Sequence, residues 1–220
     1  MLILPATIQV SEEPWIPRVI SQEITGRDDR FRDEVRNRDR RCVISGLINH
    51  ERQIEAGMWC EFRAAHIFPL GHEILWTRRD YYQWIKDMED TFGTEHIESC
   101  QNGFLLDLGI RTRFDLYLIT VNPDDNYKIV TFDLDIRGLD GRTLDPVCRN
   151  PDDPRRVSDQ LLRWHFRQSI LANVRAAGEP IFEHDFPQGH DIAGEILAGP
   201  YGQERFNLEI TTRLRGLETL

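Results

Sequence analysis

The sequence predicts an α+β fold. Residues 158–178 have the pattern of a long, capped helix. Residues 118–134 read as a β-hairpin closed by Asn122-Pro123-Asp124-Asp125-Asn126. Two short extended stretches, 41–46 and 58–67, stand among short helices at 30–40 and 110–117. Strands of this length amid separate helices suit small sheets packed against helices.

Taken in order, the segment up to Arg27 contains Pro5, Pro14 and Pro17 and is expected to be an arm or strand. Asp28 and Asp29 open a helix running to about residue 40, because acidic groups satisfy and charge-balance free N–H groups at a helix start. Phe31 and Val35 share one face of it. The other face carries Arg32, Asp33, Glu34, Arg36, Arg38 and Asp39. That run is either a basic surface for phosphates or a solvated, salt-bridged face, and the alternating signs favour the latter. Arg41 to Gly46 predicts a short strand ending in a turn, and 58–67 a second, leading into Phe68-Pro69-Leu70. A helix is expected over 76–92, with Ile85 and Met88 inward and Gly93 as its stop. Asn102-Gly103 turns into the apolar run Phe104-Leu105-Leu106, followed by a short helix at 110–117. The second hairpin strand, 127–134, alternates imperfectly, which suits cover on both faces. Asp140-Gly141 marks a further turn, and 146–156 a polar loop with prolines. Ser158 caps the long helix, whose buried stripe is expected at Leu162, Phe166, Ile170 and Val174. Beyond Glu179 come Pro180, Pro187 and Pro200, then a last strand or helix near 206–214. We expect a single compact unit: an arm over 1–30, a core over 31–120, and a hairpin with a C-terminal extension over 121–220.

Bulk properties narrow the function. With 220 residues, 40% hydrophobic and 29% charged, the chain can bury a sizeable core. Its formal net charge of −10 argues against nucleic acid as partner, since phosphate contacts by Lys and Arg supply most of that affinity. Cys42, Cys60, Cys100 and Cys148 are scattered, form no CxxC pair, and read as plain thiols rather than zinc ligands. The apolar start lacks a basic n-region, and no run is long enough to span a bilayer. An intracellular place, cytoplasmic or nuclear, with no membrane contact, is the expectation. Nothing indicates the oligomeric state.

Three segments in order carry a resemblance: Arg41-Cys42-Val43-Ile44-Ser45-Gly46; Ala64-Ala65-His66-Ile67-Phe68-Pro69; and Asn102-Gly103-Phe104-Leu105-Leu106 running on to Phe114-Asp115. Together they resemble the HNH nuclease family, in its fungal branch with a C-terminal extension. The stretches 163–168 and 179–187 are similar to that branch as well. The resemblance implies a ββα unit holding one divalent metal. One histidine deprotonates water, an asparagine orients it, and a histidine on the helix binds the metal. By that match His66 is the base and Asn102 the orienting residue. A neutral imidazole suits proton abstraction near pH 7.

The departures concern the metal. Arg111 stands where the family has its helix histidine, Arg63 where the fungal branch often has an acid, and Ala65 where many members have an aspartate ligand. A protonated guanidinium offers no lone pair to a metal. The chain is therefore expected to hold neither metal nor cofactor. Arg63 and Arg111 are instead expected to form an anion-binding or substrate-orienting pair beside His66, or else to be salt-bridge residues of a dead site.

Other candidates have plainer readings. His72-Glu73 suits a loop pair, and His96 with Glu95 and Glu98 a solvated loop. His165 beside Trp164 suits a hydrogen-bonded core residue. His184-Asp185 and His190-Asp191 pair a carboxylate with an imidazole, and the former segment is read as structural. Trp59, Trp76, Tyr81, Tyr82 and Trp84 suit core more than an aromatic pocket.

Three functions are open. The first is a repurposed, metal-free enzyme with His66 as acid/base on a small organic substrate of secondary-metabolite type, carrying out cyclisation or isomerisation. The second is a metal-dependent endonuclease on DNA or RNA with a displaced metal site. The third is a non-catalytic binding module. A small-molecule partner is favoured over nucleic acid.

Overall fold

A computed structural model describes residues 16, 18, 29–86, 96–178, 191 and 194, with side chains in the last helix up to 173. Five α-helices and four strands lie among them: α1 Asp29–Asp39, α2 Glu51–Glu55, β1 Phe62–His66, α3 Glu73–Arg78, β2 Gly103–Asp107, α4 Leu108–Asp115, β3 Ile119–Asn122, β4 Lys128–Thr131 and α5 Asp159–Gly178. The architecture is α+β, with two separate two-stranded antiparallel sheets.

The first sheet pairs β1 with β2, in a register running from Phe62 opposite Asp107 to His66 opposite Gly103. β2 passes directly into α4, so β1, β2 and α4 make a ββα unit. The hinge between strand and helix is Asp107. Its Oδ1 accepts from Ile110 N at 3.0 Å, an N-cap that satisfies one free donor of α4. Its Oδ2 accepts from Ser45 Oγ at 2.6 Å and pairs with Arg137 at 3.1 Å. These bonds, with Arg137 and the Ile110 N–H, hold the Asp107 carboxyl below the usual carboxylate range. The second sheet, β3 with β4, runs from Ile119 opposite Thr131 to Asn122 opposite Lys128 and packs β3 on α5.

The first two turns of α1 behave as their alternating charges predict, but Arg38 and Asp39, expected on the same solvated face, are buried and pair with each other. Arg30 pairs with Glu34, Arg32 with Asp29 and Asp33, and Arg36 with Asp33. Phe31 and Val35 are buried against the first sheet.

Several elements differ from expectation. Residues 41–46 form a tight turn with only an isolated bridge, Arg41 to Ile48. Gly46, at φ +78°, turns the chain back so that Cys42 N donates to Leu47 O at 2.8 Å. Val43 still ties the segment to the core, donating to Leu105 O at 3.1 Å and accepting from Asp145 N at 3.0 Å. The helix expected over 76–92 is instead α3 plus a 3-10 turn at Tyr81–Trp84. Asp80 takes the left-handed conformation, φ 55°, which an α-helix cannot continue through. Residues 87–95, including Met88 and Gly93, lie outside the described residues, as do His184, His190 and 206–214.

The stripe on α5 is also different. Leu161, Leu162, Trp164, His165, Gln168 and Ser169 are buried, while Phe166 and Ile170 are half-buried. The periodicity pointed elsewhere because three of the buried residues are polar. Each has partners: His165 Nδ1 meets Thr120 Oγ1 at 2.8 Å, Ser169 Oγ donates to His165 O at 2.8 Å, and Gln168 Oε1 accepts from Ile16 N at 2.8 Å. Buried polar groups are tolerated when bonded in this way. The Trp76, Tyr81, Phe68 and Trp164 rings form one packed cluster, so those aromatics are core.

Candidate active site at the end of the first sheet

His66 is the last residue of β1 and Gly103 the first of β2. The imidazole stacks on the Phe31 ring of α1, with centroids 3.8 Å apart and planes 10° from parallel. Gly103 makes room for this. A Cβ there would sit 2.6 Å from Phe31 Cε2 and 2.8 Å from Ala65 O. We expect Gly103→Ala to destabilise the fold by about 1–3 kcal/mol, as overpacking does. The cost should shrink when combined with Phe31→Ala, because the two residues are in contact. Denaturant unfolding of the single and double variants checks this. Additive losses would show that the two residues do not share that space.

His66 is half-buried, and its Nε2 is enclosed without a hydrogen-bond partner among the described residues. Burial, then the positive charges of Arg18 and Arg111, lower its pKa to about 3. The ring is therefore neutral at pH 7.

Asn102 lies in the 3-10 turn Cys100–Asn102 and is wholly buried. Its Oδ1 accepts from Phe68 N at 2.8 Å, and its Nδ2 donates to Phe68 O at 3.1 Å and Ile97 O at 2.7 Å. Its backbone O accepts from Ile67 N at 2.8 Å. Asn102 thus pins the two residues after His66, and among the described residues its side chain makes no hydrogen bond to the imidazole it is expected to orient.

The two arginines diverge. Arg111 lies on α4, where its Nε meets Asp115 Oδ2 at 3.5 Å. Neither Nη of Arg111 has a protein partner among the described residues. Arg63 lies on β1 three residues before His66, and strand alternation sends it to the opposite face. Its Nη1 donates to Phe62 O at 2.9 Å and Trp59 O at 3.1 Å.

The second guanidinium acting on His66 is Arg18, from the N-terminal arm. Its Nη2 donates to His66 O, and to Ile67 O at 2.9 Å. Its Nη1 meets Phe114 O at 3.4 Å and Asp115 Oδ1 at 3.4 Å. The guanidinium also lies over the Phe114 ring at 5.2 Å. Tyr117 Oη donates to Ile16 O at 3.0 Å and holds the arm there. Nothing in the pattern around Arg18 marks it, since a single arginine after a proline has many uses. Only the fold brings it to the site.

Asp115 therefore bridges Arg18 and Arg111. With His66 neutral, the formal charge of this group is +1. These residues do not fit a divalent metal. Arg111 has no lone pair, Ala65 has no donor, and the one nearby carboxylate is engaged by two guanidiniums. Among the described residues, no group of three or more His, Cys, Asp or Glu could hold one. No helix among the described residues is long and apolar enough to cross a membrane.

Residues 42–122 match the family model for the HNH endonucleases, a segment that contains β1, β2 and α4. No curated protein and no solved structure matches the chain.

Proposed function

We propose that the segment 42–122, which matches the HNH endonuclease family model, works without a metal as an acid/base catalyst on a small organic anion. The observation that carries this reading is the buried Nε2 of His66, which has no hydrogen-bond partner among the described residues, beside the Arg111 guanidinium. A +1 site takes a monoanion such as a carboxylate or enolate. The Nη groups of Arg111 can hold its oxygens while Asp115 holds Nε.

Anion binding also changes His66. Two positive charges help to hold the imidazole's basicity down, and a bound anion offsets them. The ring stays buried, which is the larger cause of its low basicity, so a bound anion restores only the part that the two charges remove. The ring then takes a proton from one substrate atom onto Nε2 and returns it to another, so the net change is an isomerisation or cyclisation with no redox partner. Arg18 and Asn102 position the strand end that carries the ring, and Arg63 supports the turn before β1.

The family match also favours a second reading, a metal-dependent endonuclease on DNA or RNA. Two measurements separate them. Plasmid DNA and single-stranded RNA are incubated with the full chain and Mg²⁺, Mn²⁺ or Zn²⁺. We expect no cleavage beyond that of His66→Ala. Metal-stimulated, EDTA-sensitive cleavage lost in His66→Ala would establish the nuclease instead. A panel of small organic carboxylates is screened for conversion, where His66→Ala should cost roughly 10²–10⁴ in rate. Arg111→Met should act mainly on KM. Conversion unaffected by His66→Ala would end the acid/base assignment.

A further inference from the structure

A second feature lies away from His66. The C-terminal end of α1 and the loop over 145–155 border an open groove of about 640 Å³. Sites for small molecules span roughly 300–1,000 Å³. Arginines line it in a chain whose net charge is −10.

These arginines are not equivalent. Arg38 is consumed by the buried Asp39. Arg41 meets Asp145 at 3.6 Å and Arg155 meets Asp153 at 3.3 Å, so each brings its own counter-charge. Arg149 has no carboxylate partner among the described residues. Its Nε donates to Leu144 O at 3.1 Å, and its guanidinium lies over the Tyr127 ring at 4.6 Å. Those two contacts fix the plane of the fork and leave both Nη groups without a protein partner among the described residues. A guanidinium held in this way loses little entropy when it takes up two oxygens.

We infer that this groove binds the phosphate group of a small phosphate monoester, with Arg149 as the anchor and Arg41 and Arg155 closing on it. The charges select the ligand. Arg149 supplies the one surplus positive charge, and the half-buried Arg41 and exposed Arg155, already countered by Asp145 and Asp153, add hydrogen-bond donors to the phosphate oxygens rather than net charge. A phosphodiester chain running through the groove would meet Asp145 and Asp153 and be repelled. The ligand is therefore one terminal phosphate, not a nucleic-acid backbone.

Calorimetric titration of the full chain tests this with adenosine monophosphate, adenosine, inorganic phosphate and a single-stranded DNA oligomer. Saturable binding of the monophosphate and none of adenosine are expected. Arg149→Met should weaken the monophosphate about ten-fold or more, the loss of one charge-assisted contact pair. Because Arg149 also supports Leu144, Arg41→Gln and Arg155→Gln are measured too; each should weaken binding with the melting temperature unchanged. Arg111→Met should leave this affinity intact, which separates the groove from the site at His66. Inorganic phosphate binding as tightly as the monophosphate would support the site and assign it to phosphate itself. Absence of saturable binding, binding indifferent to all three groove variants, or preference for the oligomer at equal phosphate concentration would overturn the inference.

Discussion

Asp39→Asn is expected to be among the most destabilising single changes in the protein. Asp39 is fully buried, and the Arg38 side chain is 1% exposed. Arg38 Nε and Nη2 meet the two carboxylate oxygens at 2.6 and 3.0 Å. The remaining donors of Arg38 reach Arg155 O at 2.7 Å, Gly103 O at 2.7 Å and Cys100 O at 2.8 Å. Asp39 Oδ2 also accepts from Leu105 N at 2.8 Å. The pair thus joins the end of α1 to β2, to the turn that carries Asn102, and to the 145–155 loop. Removing one charge leaves the other buried and uncompensated, at a cost of about 3–5 kcal/mol. For a chain of this size that is a fall in Tm of about 10 °C or more. An apolar double replacement often recovers stability at buried ion pairs. Here Arg38→Met with Asp39→Leu should not, because three carbonyls and one N–H would lose their partners. Thermal melts of both variants decide. A double variant as stable as the parent would show that those backbone groups need neither side chain.

Acidification from pH 7 to pH 5 is expected to cost nearly as much. His66 has its pKa lowered to about 3, and burial holds His165 well below its ordinary value. The Arg18 charge adds to both effects. In the unfolded chain both titrate near 6.5. The folded value lies below the unfolded one, so the stability is fully present above about pH 6.5. It is lost as pH falls from there toward the folded values, because only the unfolded chain takes up the protons. His66 contributes a slope of about 1.4 kcal/mol per pH unit over that window, and His165 adds to it in the same direction. The urea midpoint measured at pH 7.5, 6.0 and 5.0 should fall steadily. His165→Gln, which removes one titrating group from a ring stacked on Phe114 at 3.7 Å, should lower stability at pH 7.5 and flatten the slope. A midpoint constant from pH 7 to pH 5 would mean that neither ring is held neutral.

Local chemistry made much of this protein legible in the sequence. The acidic start and alternating charges of α1, the turn residues between β3 and β4, and the capped length of α5 each act within a few residues of chain. The ordered motifs placed His66, Asn102 and Arg111 on a ββα unit, because motif order reflects strand pairing and the helix that follows. Patterns that depend on a partner across space were not legible. The buried stripe of α5 includes Gln168 and Ser169, which look solvent-facing until the backbones of Ile16 and His165 supply their bonds, whereas His165 is legible as a hydrogen-bonded core residue and meets Thr120. The turn at 41–46 and the break at Asp80 follow from left-handed residues that hydrophobic pattern does not mark.

The sequence by itself determined which functional groups the ββα unit and its flanks carry: an imidazole, an amide and a guanidinium, since side-chain chemistry is fixed by residue identity. Only the tertiary structure decided which charges act on the imidazole. Strand alternation turns Arg63 to the far face, while the arm brings Arg18 to within hydrogen-bonding distance of the His66 backbone from 48 residues away in sequence. Electrostatic influence falls with distance and grows with burial, and the folded arrangement of the chain sets both.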